Sequence, residues 1–384
     1  MGGRFTAAIV GCGTIGRSHA EGCRLADEVA LVAAVDPVEA VRTQFAEEFA
    51  VPHTYSTTEE LFADQVPDIV IVCTWHMIHH EGTVAAAEAG VAAVICEKPM
   101  AIGLTSADAM IEACRANGTK LIVGHQRRFT AGWEKTRDLV GEGAIGRPLM
   151  VECCVASGFA NWGTHVIDGA RFVLGDPAAE WVMGAVQRIT DRYERDVPIE
   201  DCCMALVQLE SEIQLLIQSD LRLKGATAGG FLIRGSEGML ETNERCVRLL
   251  NATTGGWREH VLADGAGYGI GGQVHADQIV ELTRWLEGGP EHRGSAAKAR
   301  VTLEITMALY ESARRNKVIR LPLEEGGYPL EHMIASGELE IEIPGRYDLR
   351  SFLRWTDADA AEYRRLRASG LEHYSVMQKL NAGG

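Results

Sequence analysis

The chain has 384 residues, of which 46% are hydrophobic and 23% charged, a composition typical of a globular protein large enough for two domains. The formal net charge of −16 argues against a nucleic-acid partner, because such partners usually require a basic face. The sequence shows neither a signal peptide nor an apolar run near the roughly 20 residues that span a bilayer, so we expect a cytoplasmic protein with no membrane partner.

Strand and helix patterns alternate along the first 125 residues. The apolar runs "AAIVGCG", "VALVAAVD", "IVIVCT", "GVAAVICE" and "KLIVGHQ" are short and rich in β-branched residues, as expected for buried strands. The segments between them have the length and polarity of helices. Strands that are separated by such helices indicate an α/β fold with a parallel, doubly wound sheet. We assign residues 1–127 to this domain.

The turn after the first strand carries "GCGTIG", a G-x-G-x-x-G pattern. Alone this pattern is a weak signal, but here it leaves a strand and opens a helix, and an acidic residue ends the next strand twenty residues later. Such a turn lets the backbone approach a pyrophosphate, which the helix N-terminus then stabilises. A glycine turn without a ligand is the alternative. The predicted cofactor contacts in this turn are Gly11, Gly13, Thr14, Ile15 and Gly16.

The acidic residue that ends the second strand is Asp36. A carboxylate in this position accepts hydrogen bonds from both ribose hydroxyls of a dinucleotide, but it repels a 2′-phosphate. The next two residues, Pro37 and Val38, provide no cation. We therefore predict that the cofactor is NAD rather than NADP.

An ammonium group directly follows a core strand in the segment "CEKPM", residues 96–100. Ligands of doubly wound sheets bind in the crevice outside the carboxyl ends of the strands. Lys98 would then lie at the nicotinamide end and donate a hydrogen bond to a hydroxyl or a developing alkoxide. A surface lysine paired with Glu97 is the alternative. Further cofactor contacts at strand ends are predicted at Thr74, His76 and Glu97, and a substrate contact at His125.

A metal site is the other interpretation of the segment "WHMIHHE", which contains His76, His79 and His80. The segment runs from a predicted strand into a helix, and no distant set of cysteines or carboxylates completes a ligand set. The ten cysteines include adjacent pairs at 153–154 and 202–203, whose side chains would point to opposite faces of a strand. We therefore predict free thiols and no metal.

From about residue 147 the pattern changes to closely spaced strands, from "PLMVECCVAS" to "GGFLIRGSEGMLETNE". One segment, "GTHVIDGARFVLG", instead has helical spacing and places His165 and Asp168 on one face. A helix-start histidine bonded to a backbone carbonyl is the alternative for His165. We assign residues 128–325 to a second, substrate-binding and oligomerisation domain and residues 326–384 to a charged C-terminal extension.

The glycine turn, Asp36, "EKPM", "GHQRRF" and "GTHVIDGARFVLG" occur in a fixed order, and together they resemble the glucose–fructose oxidoreductase/inositol dehydrogenase (Gfo/Idh/MocA) family from about residue 5 to about 323. Members have a Rossmann domain followed by an α+β domain with a large, mostly antiparallel sheet. The resemblance implies interconversion of a secondary alcohol and a ketone on a sugar or cyclitol. It also implies that Lys98 is the catalytic lysine and His165 the acid/base histidine.

The sequence departs from this family four residues before His165. Members similar to inositol dehydrogenase often have an aspartate there, whereas this chain has Asn161. An amide can orient the imidazole or bind a substrate hydroxyl, but it cannot stabilise an imidazolium as a charge would. Trp162 could pack on a sugar face or belong to the core. The predicted substrate contacts are Asn161, Trp162, Asp168, His125 and, after the glycine-rich segment "ADGAGYGIGG", His275.

These observations predict an NAD-dependent oxidoreductase for a sugar-like or cyclitol polyol, assembled as a homodimer or homotetramer through the exposed face of the large sheet. Two alternatives share its motifs. An NAD-using glycosidase oxidises a sugar carbon transiently, then eliminates the aglycone, and needs the same lysine and histidine. A non-catalytic NAD sensor would not need to retain both Lys98 and His165.

Overall fold

The computed structural model describes residues 4–155, 158–221, 230–260, 262, 271–324, 326–348, 353–354, 357–371, 376 and 379. Most of the glycine-rich segment, residues 263–270, therefore lies outside the described part of the chain. The described residues form two large sheets and one smaller sheet. None of the described helices is both long enough and apolar enough to cross a membrane.

The first large sheet has six parallel strands, all within residues 5–123. They are β1 (Phe5–Val10), β2 (Val29–Val35), β3 (His53–Tyr55), β4 (Ile69–Val72), β5 (Ala93–Cys96) and β6 (Lys120–Val123). Their spatial order is β3-β2-β1-β4-β5-β6. The chain therefore reverses direction across the sheet between β1 and β4, which opens a crevice at their carboxyl ends. The predicted doubly wound sheet is confirmed.

Helices connect these strands and cover both faces of the sheet. They are α1 (Thr14–Leu25), α2 (Glu39–Phe49), α3 (Thr58–Asp64), α4 (His79–Glu88) and α5 (Leu104–Ala116), and α6 (Ala131–Gly141) follows the last strand. Residues of the central strands such as Ile9, Ile71 and Ile95 are completely buried, as both-face coverage requires.

The second large sheet has nine strands. They are β7 (Pro148–Val155), β8 (Ala179–Gln187), β11 (Cys202–Leu209), β12 (Gln214–Ser219), β13 (Phe231–Gly235), β14 (Gly238–Thr242), β15 (Val247–Asn251), β16 (Arg258–His260) and β17 (Ile319–Arg320). Their order is β16-β15-β14-β13-β7-β12-β11-β8-β17, and of these pairs only β7 and β12 run parallel. The expected mostly antiparallel sheet is confirmed.

The remaining helices are α7 (Phe159–Val173), α8 (Gly272–Leu286), α9 (Ala296–Arg315), α10 (Pro329–Ala335) and α11 (Asp357–Ala368). Helices α7 and α9 pack against each other and against the nine-stranded sheet. The opposite face of that sheet exposes apolar side chains, since Met183 and Met204 are 50% and 44% exposed. Alternate residues of the same strands, Val182 and Cys203, are buried against the helices.

A four-stranded sheet joins the second domain to the C-terminal extension, which the sequence did not predict. Its strands are β9 (Thr190–Glu194), β10 (Val197–Pro198), β18 (Ile343–Asp348) and β19 (Leu353–Arg354), in the order β10-β9-β18-β19. Strand β18 of the extension pairs in parallel with β9. The extension therefore supports the strand that ends at Glu194.

Candidate active site

Helix α7 carries the predicted acid/base histidine, and a buried carboxylate fixes where this helix begins. The first N–H groups of a helix have no intrahelical partner. Glu200, which is fully buried, accepts a hydrogen bond from the Phe159 N–H at 2.6 Å and one from the Tyr310 hydroxyl at 2.7 Å. Gly158, with φ +90°, makes the turn into the helix, where a Cβ would lie 2.7 Å from Ile199. The helix therefore starts early enough to include residue 161.

Side chains of the two large domains meet at the end of β5. Lys98 Nζ donates a hydrogen bond to Asn161 Oδ1 at 2.9 Å and lies 5.3 Å from the centroid of the Trp162 ring. The Trp162 ring lies 5.9 Å from the ring of His165. Asn161 and His165 are one helical turn apart, so they share a face of α7. The structure thus brings together the predicted lysine, amide, indole and imidazole.

Asn161 contacts a residue that the sequence did not single out. Its Nδ2 donates to Glu194 Oε1 at 2.6 Å, while its Oδ1 accepts from Lys98. The amide, for which orienting the imidazole of His165 and binding a substrate hydroxyl were both open, is bonded to a lysine and a carboxylate. Nothing in the local pattern "TDRYERDVPIE" marked Glu194 as a site residue.

His125 lies behind the site. Its Nε2 is 2.9 Å from Thr164 Oγ1, its Nδ1 is 3.3 Å from Asp168 Oδ1, and its ring lies 6.4 Å from that of His165. Burial lowers the pKa of His125 to about 4, although the Asp168 carboxylate acts in the opposite direction. The ring is therefore neutral at pH 7 and bonded to Thr164, which does not support its predicted substrate contact.

Asp168 is also turned inward. Both of its oxygens accept hydrogen bonds from the guanidinium of Arg128 at 2.7 Å, and Asp176 accepts from the same guanidinium. Burial alone would raise the pKa of Asp168, but the charge of Arg128 holds it below its usual value. These contacts occupy the carboxylate and do not support the predicted substrate contact. They make Asp168 of α7 the partner of Arg128 in a buried ion pair.

We expect Asp168→Ala to lower the free energy of unfolding by about 3 kcal/mol, because it leaves the charge of Arg128 buried with only Asp176 beside it. Urea unfolding monitored by circular dichroism measures the change. Asp108→Ala is the matched control, since Asp108 pairs with Arg300 at the surface and is 51% exposed. The control should change the free energy by less than about 1 kcal/mol. Equal effects of the two substitutions would contradict a structural role for Asp168.

The glycine turn before α1 has the geometry of a pyrophosphate cradle. Gly11 has φ +101°, and a Cβ there would lie 2.7 Å from the Cys73 carbonyl oxygen, while a Cβ at Gly16 would collide with the Gly11 carbonyl. A Cβ at Gly13 would instead meet open space. Among the described residues no side chain caps α1, and its first turn has no acidic residue. The N–H groups at this helix start therefore fit an anionic ligand. The contacts of Thr14 and Ile15 stay predictions.

Asp36 lies at the end of β2, as predicted, and its carboxylate organises the same turn. Its Oδ2 accepts from the Cys12 N–H at 3.1 Å and its Oδ1 from the Val38 N–H at 2.9 Å. A carboxylate offers about four acceptor positions, so two remain for ribose hydroxyls. A cation that the sequence analysis overlooked is nearby, because Arg42 Nη1 donates to the Asp36 and Pro37 carbonyls at 3.2 and 3.3 Å.

We expect the protein to bind NAD much more tightly than NADP, and Asp36→Ala to narrow this gap chiefly by weakening NAD. Because the Arg42 guanidinium lies beside the Asp36 backbone, we expect it to attract a 2′-phosphate, so the double variant Asp36→Ala/Arg42→Ala should bind NADP more weakly than the single variant. Calorimetric Kd values for both cofactors test the prediction. Equal Kd values in the unmutated protein would refute it.

His79 joins two strand ends near the crevice. Its ring nitrogens lie 2.9 Å from the Pro99 carbonyl oxygen and 3.1 Å from the Thr74 carbonyl oxygen. Burial lowers the pKa of His79, although both carbonyls favour the protonated ring. His76 is buried in the short 3-10 helix that precedes α4. His79 thus links the segments that follow β4 and β5 at the edge of the crevice. The cofactor contacts of Thr74 and His76 stay predictions.

Glu97 forms a buried cluster with His19 and His275. His19 Nε2 is 2.8 Å from Glu97 Oε1, and the two histidine rings are 4.1 Å apart. Burial alone would raise the pKa of Glu97, but the contact with His19 lowers it to about 2. Burial lowers the pKa of His275 to about 3. His275 packs so closely on α1 that a Cβ at Gly22 would lie 2.6 Å from its own Cβ. This fully buried position does not support the predicted substrate contact of His275.

Within the described part of the chain, His19, Glu97 and His275 are close enough to hold a metal ion, because one ligand atom of each lies within 4.8 Å of the other two. A cation bound there would have to replace the hydrogen bond between His19 and Glu97. The ten cysteines are all free thiols, and in each adjacent pair one member is more buried than the other.

Two family models match the chain. The oxidoreductase family with an NAD-binding Rossmann fold (Gfo/Idh/MocA) matches residues 5–125, and the Gfo/Idh/MocA C-terminal domain matches residues 133–241. The chain belongs to the Gfo/Idh/MocA family. Membership confirms the family resemblance, the oxidoreductase class and NAD as the cofactor.

Named relatives are similar over different parts of this Gfo/Idh/MocA chain. Myo-inositol 2-dehydrogenase of Thermotoga maritima is 31% identical over 186 residues, which are 45% of this chain and 55% of that protein. D-apiose dehydrogenase of Paraburkholderia graminis is 26% identical over 361 residues, or 87% and 94% of the two chains. 1,5-anhydro-D-fructose reductase of Ensifer adhaerens is 30% identical over 251 residues, which are 60% of this chain and 74% of that protein.

Solved structures share the fold. Levoglucosan dehydrogenase in complex with NADH and levoglucosan aligns with a TM-score of 0.73 at 21% identity, over 83% of this chain and 100% of that one. An oxidoreductase from Agrobacterium radiobacter in complex with NAD+, L-tartaric acid and magnesium aligns with a TM-score of 0.70 at 21% identity, over 83% and 98%. Both alignments extend over most of this chain and so support the fold class.

Proposed function

We propose that the protein interconverts a secondary alcohol and a ketone on a sugar-like or cyclitol substrate, with His165 as the acid/base and Lys98 as the group that stabilises the reacting oxygen. The observation that carries the proposal is the meeting of Lys98 with helix α7. An ammonium group at the end of a Rossmann strand lies 2.9 Å from Asn161 and beside the indole that contacts His165.

In the oxidation direction, neutral His165 accepts the proton of the substrate hydroxyl. The ammonium of Lys98 donates a hydrogen bond to the same oxygen, where negative charge develops as the O–H bond breaks. NAD, when bound, supplies the hydride acceptor. In the reduction direction His165 returns the proton to the oxygen. Both groups lie at the carboxyl end of the parallel sheet, where ligands of such folds bind.

The cofactor would be held by the glycine turn, through the backbone N–H groups at the start of α1, and by Asp36 through the ribose hydroxyls. Trp162 offers a flat apolar face beside Lys98, a surface that suits a sugar or cyclitol ring. The similarity to myo-inositol 2-dehydrogenase, D-apiose dehydrogenase and 1,5-anhydro-D-fructose reductase supports a polyol or sugar substrate.

A panel of inositols, aldoses and anhydro sugars, incubated with NAD and monitored for NADH absorbance, tests the proposal. Net NADH formation with at least one member is the expected result. Release of an aglycone from a glycoside without net NADH would indicate the NAD-using glycosidase instead. NAD binding without turnover of any member or glycoside would indicate a sensor.

We also propose that the protein forms a homodimer or homotetramer through the outer face of the nine-stranded sheet. The exposed side chains of Met183 and Met204 lie on this face, on two neighbouring strands. An arginine or glutamate at either position should dissociate the assembly, which sedimentation velocity would detect.

A further inference from the structure

Glu194 is a buried carboxylate at the end of β9, and a tight turn determines its position. Arg195 and Asp196, the next two residues, have φ values of +51° and +67°. They connect β9 to β10 in a hairpin, in which Glu194 pairs with Val197. Glu194 is 1% exposed, whereas the strand residues before it are only partly buried. The hairpin therefore places one acidic side chain in the interior, facing helix α7.

Burying a carboxylate is costly unless it is hydrogen-bonded and paired with a positive charge. Glu194 accepts a hydrogen bond from Asn161 Nδ2 at 2.6 Å, and the other end of the same amide accepts from Lys98 Nζ at 2.9 Å. An ammonium group is only a donor and a carboxylate is only an acceptor. The amide can satisfy both partners in one orientation alone, with its dipole aligned between the two charges.

We propose that Glu194 is a positioning residue that supplies, through Asn161, the negative charge that keeps Lys98 protonated and aimed into the active site. The inference rests on the proposed function of Lys98 and extends it to a residue of the hairpin. Residue 161 is an amide that bonds directly to the lysine, and the carboxylate stands one hydrogen bond further away.

The identities of residues 161 and 194 are coupled by this geometry. An aspartate at 161 would place two carboxylates about as close as the 2.6 Å that now separates Asn161 Nδ2 from Glu194 Oε1. Two carboxylates that share a site cannot both ionise near neutral pH, so one must retain a proton. The amide at 161 avoids this conflict and still connects Lys98 to a negative charge.

Other charged or titratable groups also surround Lys98, and the test must separate them from Glu194. Glu97 precedes it in the chain and accepts a hydrogen bond from the Lys98 backbone N–H at 3.2 Å. His125 is close enough to sense the charge of Lys98. The His165 ring lies 5.9 Å from the Trp162 ring, and that ring lies 5.3 Å from Lys98 Nζ.

Four forms of the full-length protein make the test: wild type, Glu194→Gln, Asn161→Asp and the double variant. Glu194→Gln keeps a carbonyl oxygen that can accept from Asn161 and removes only the charge. In the double variant the negative charge moves from residue 194 to residue 161, the direct partner of Lys98. Glu212→Gln is the control, because Glu212 is 85% exposed on another segment. The readouts are kcat and KM against pH and the thermal midpoint.

Glu194→Gln alone should lower kcat about tenfold, leave the KM for NAD unchanged and move the alkaline limb of the kcat profile to lower pH, because the ammonium form loses its counter-charge. In the Asn161→Asp background, Glu194→Gln should change kcat in the opposite direction. It should raise kcat and raise the thermal midpoint by roughly 2 °C or more, because it removes a carboxylate repulsion.

Glu194→Gln with an unchanged kcat profile in an active enzyme would overturn the proposal and leave the proposed function standing. Equal thermal midpoints of Asn161→Asp and the double variant would overturn it as well. If the wild type oxidises no polyol, the proposed function fails, and the thermal midpoints of the four forms still decide whether residues 161 and 194 are coupled.

Discussion

Lys98→Ala should lower kcat by roughly 10²-fold or more and leave the Kd for NAD close to its wild-type value. The reason is that cofactor binding and stabilisation of the reacting oxygen depend on different residues of the crevice. The glycine turn and Asp36 hold the cofactor, whereas Lys98 lies at the end of β5 among groups of helix α7. Its ammonium group meets charge that develops on the substrate oxygen only in the transition state.

Steady-state kinetics and calorimetric NAD binding separate the two effects. Lys317→Ala is a control, because Lys317 is an exposed lysine after helix α9 and should affect neither quantity. Lys98→Arg keeps the positive charge but replaces a compact ammonium by a planar fork, so it should recover little of the lost kcat. Near-normal kcat in Lys98→Ala would show that the lysine is only a partner of Asn161.

Much of the Rossmann sheet could be predicted because its strands are buried on both faces and therefore read as continuous apolar runs. Strand β3 (His53–Tyr55) escaped prediction, since it has three residues, two of them exposed, and lies at the sheet edge. The four-stranded sheet escaped for a different reason. It pairs β9 with β18, about 150 residues later in the chain, and no local pattern encodes such a pairing.

The candidate site shows the same division. Position after a buried strand predicted Lys98 at the crevice, but left a surface lysine as the alternative. The roles of Lys98 and His165, and the interest of Asn161, came from the family resemblance. Glu194 was not predictable, because its partner is 33 residues away and its own segment has the polar composition of a loop. Only the tertiary structure shows that this carboxylate is buried.

Asp168 and His275 are predicted substrate contacts that the structure does not support. Both have side chains that can bind a polyol, and sequence spacing placed them near the crevice. Asp168 instead compensates the buried charge of Arg128, and His275 packs where Gly22 leaves no Cβ. Chemical type alone does not distinguish a polar group that contacts substrate from one that is buried inside the protein.

His165→Ala should lower kcat/KM by roughly 10²- to 10⁴-fold, the range that positioned acid/base groups contribute. His165 is buried on helix α7, beside the indole that also contacts Lys98. His332→Ala is the matched control, because His332 is an exposed histidine on α10 and should leave kcat/KM unchanged. NAD affinity should change little in either variant, since neither histidine belongs to the glycine turn or adjoins Asp36.

The pH profile gives this prediction its sign. For alcohol oxidation the base must be neutral, so wild-type kcat/KM should fall as pH drops and His165 takes up a proton. Without the imidazole, proton removal depends on solvent, so the residual rate of His165→Ala should keep rising with pH instead of reaching the wild-type plateau. Added imidazole should restore part of the rate, and only its neutral form should be effective. A His165→Ala variant that keeps the wild-type acid limb would show that another group titrates, and His125 would be a poor candidate because burial already lowers its pKa to about 4.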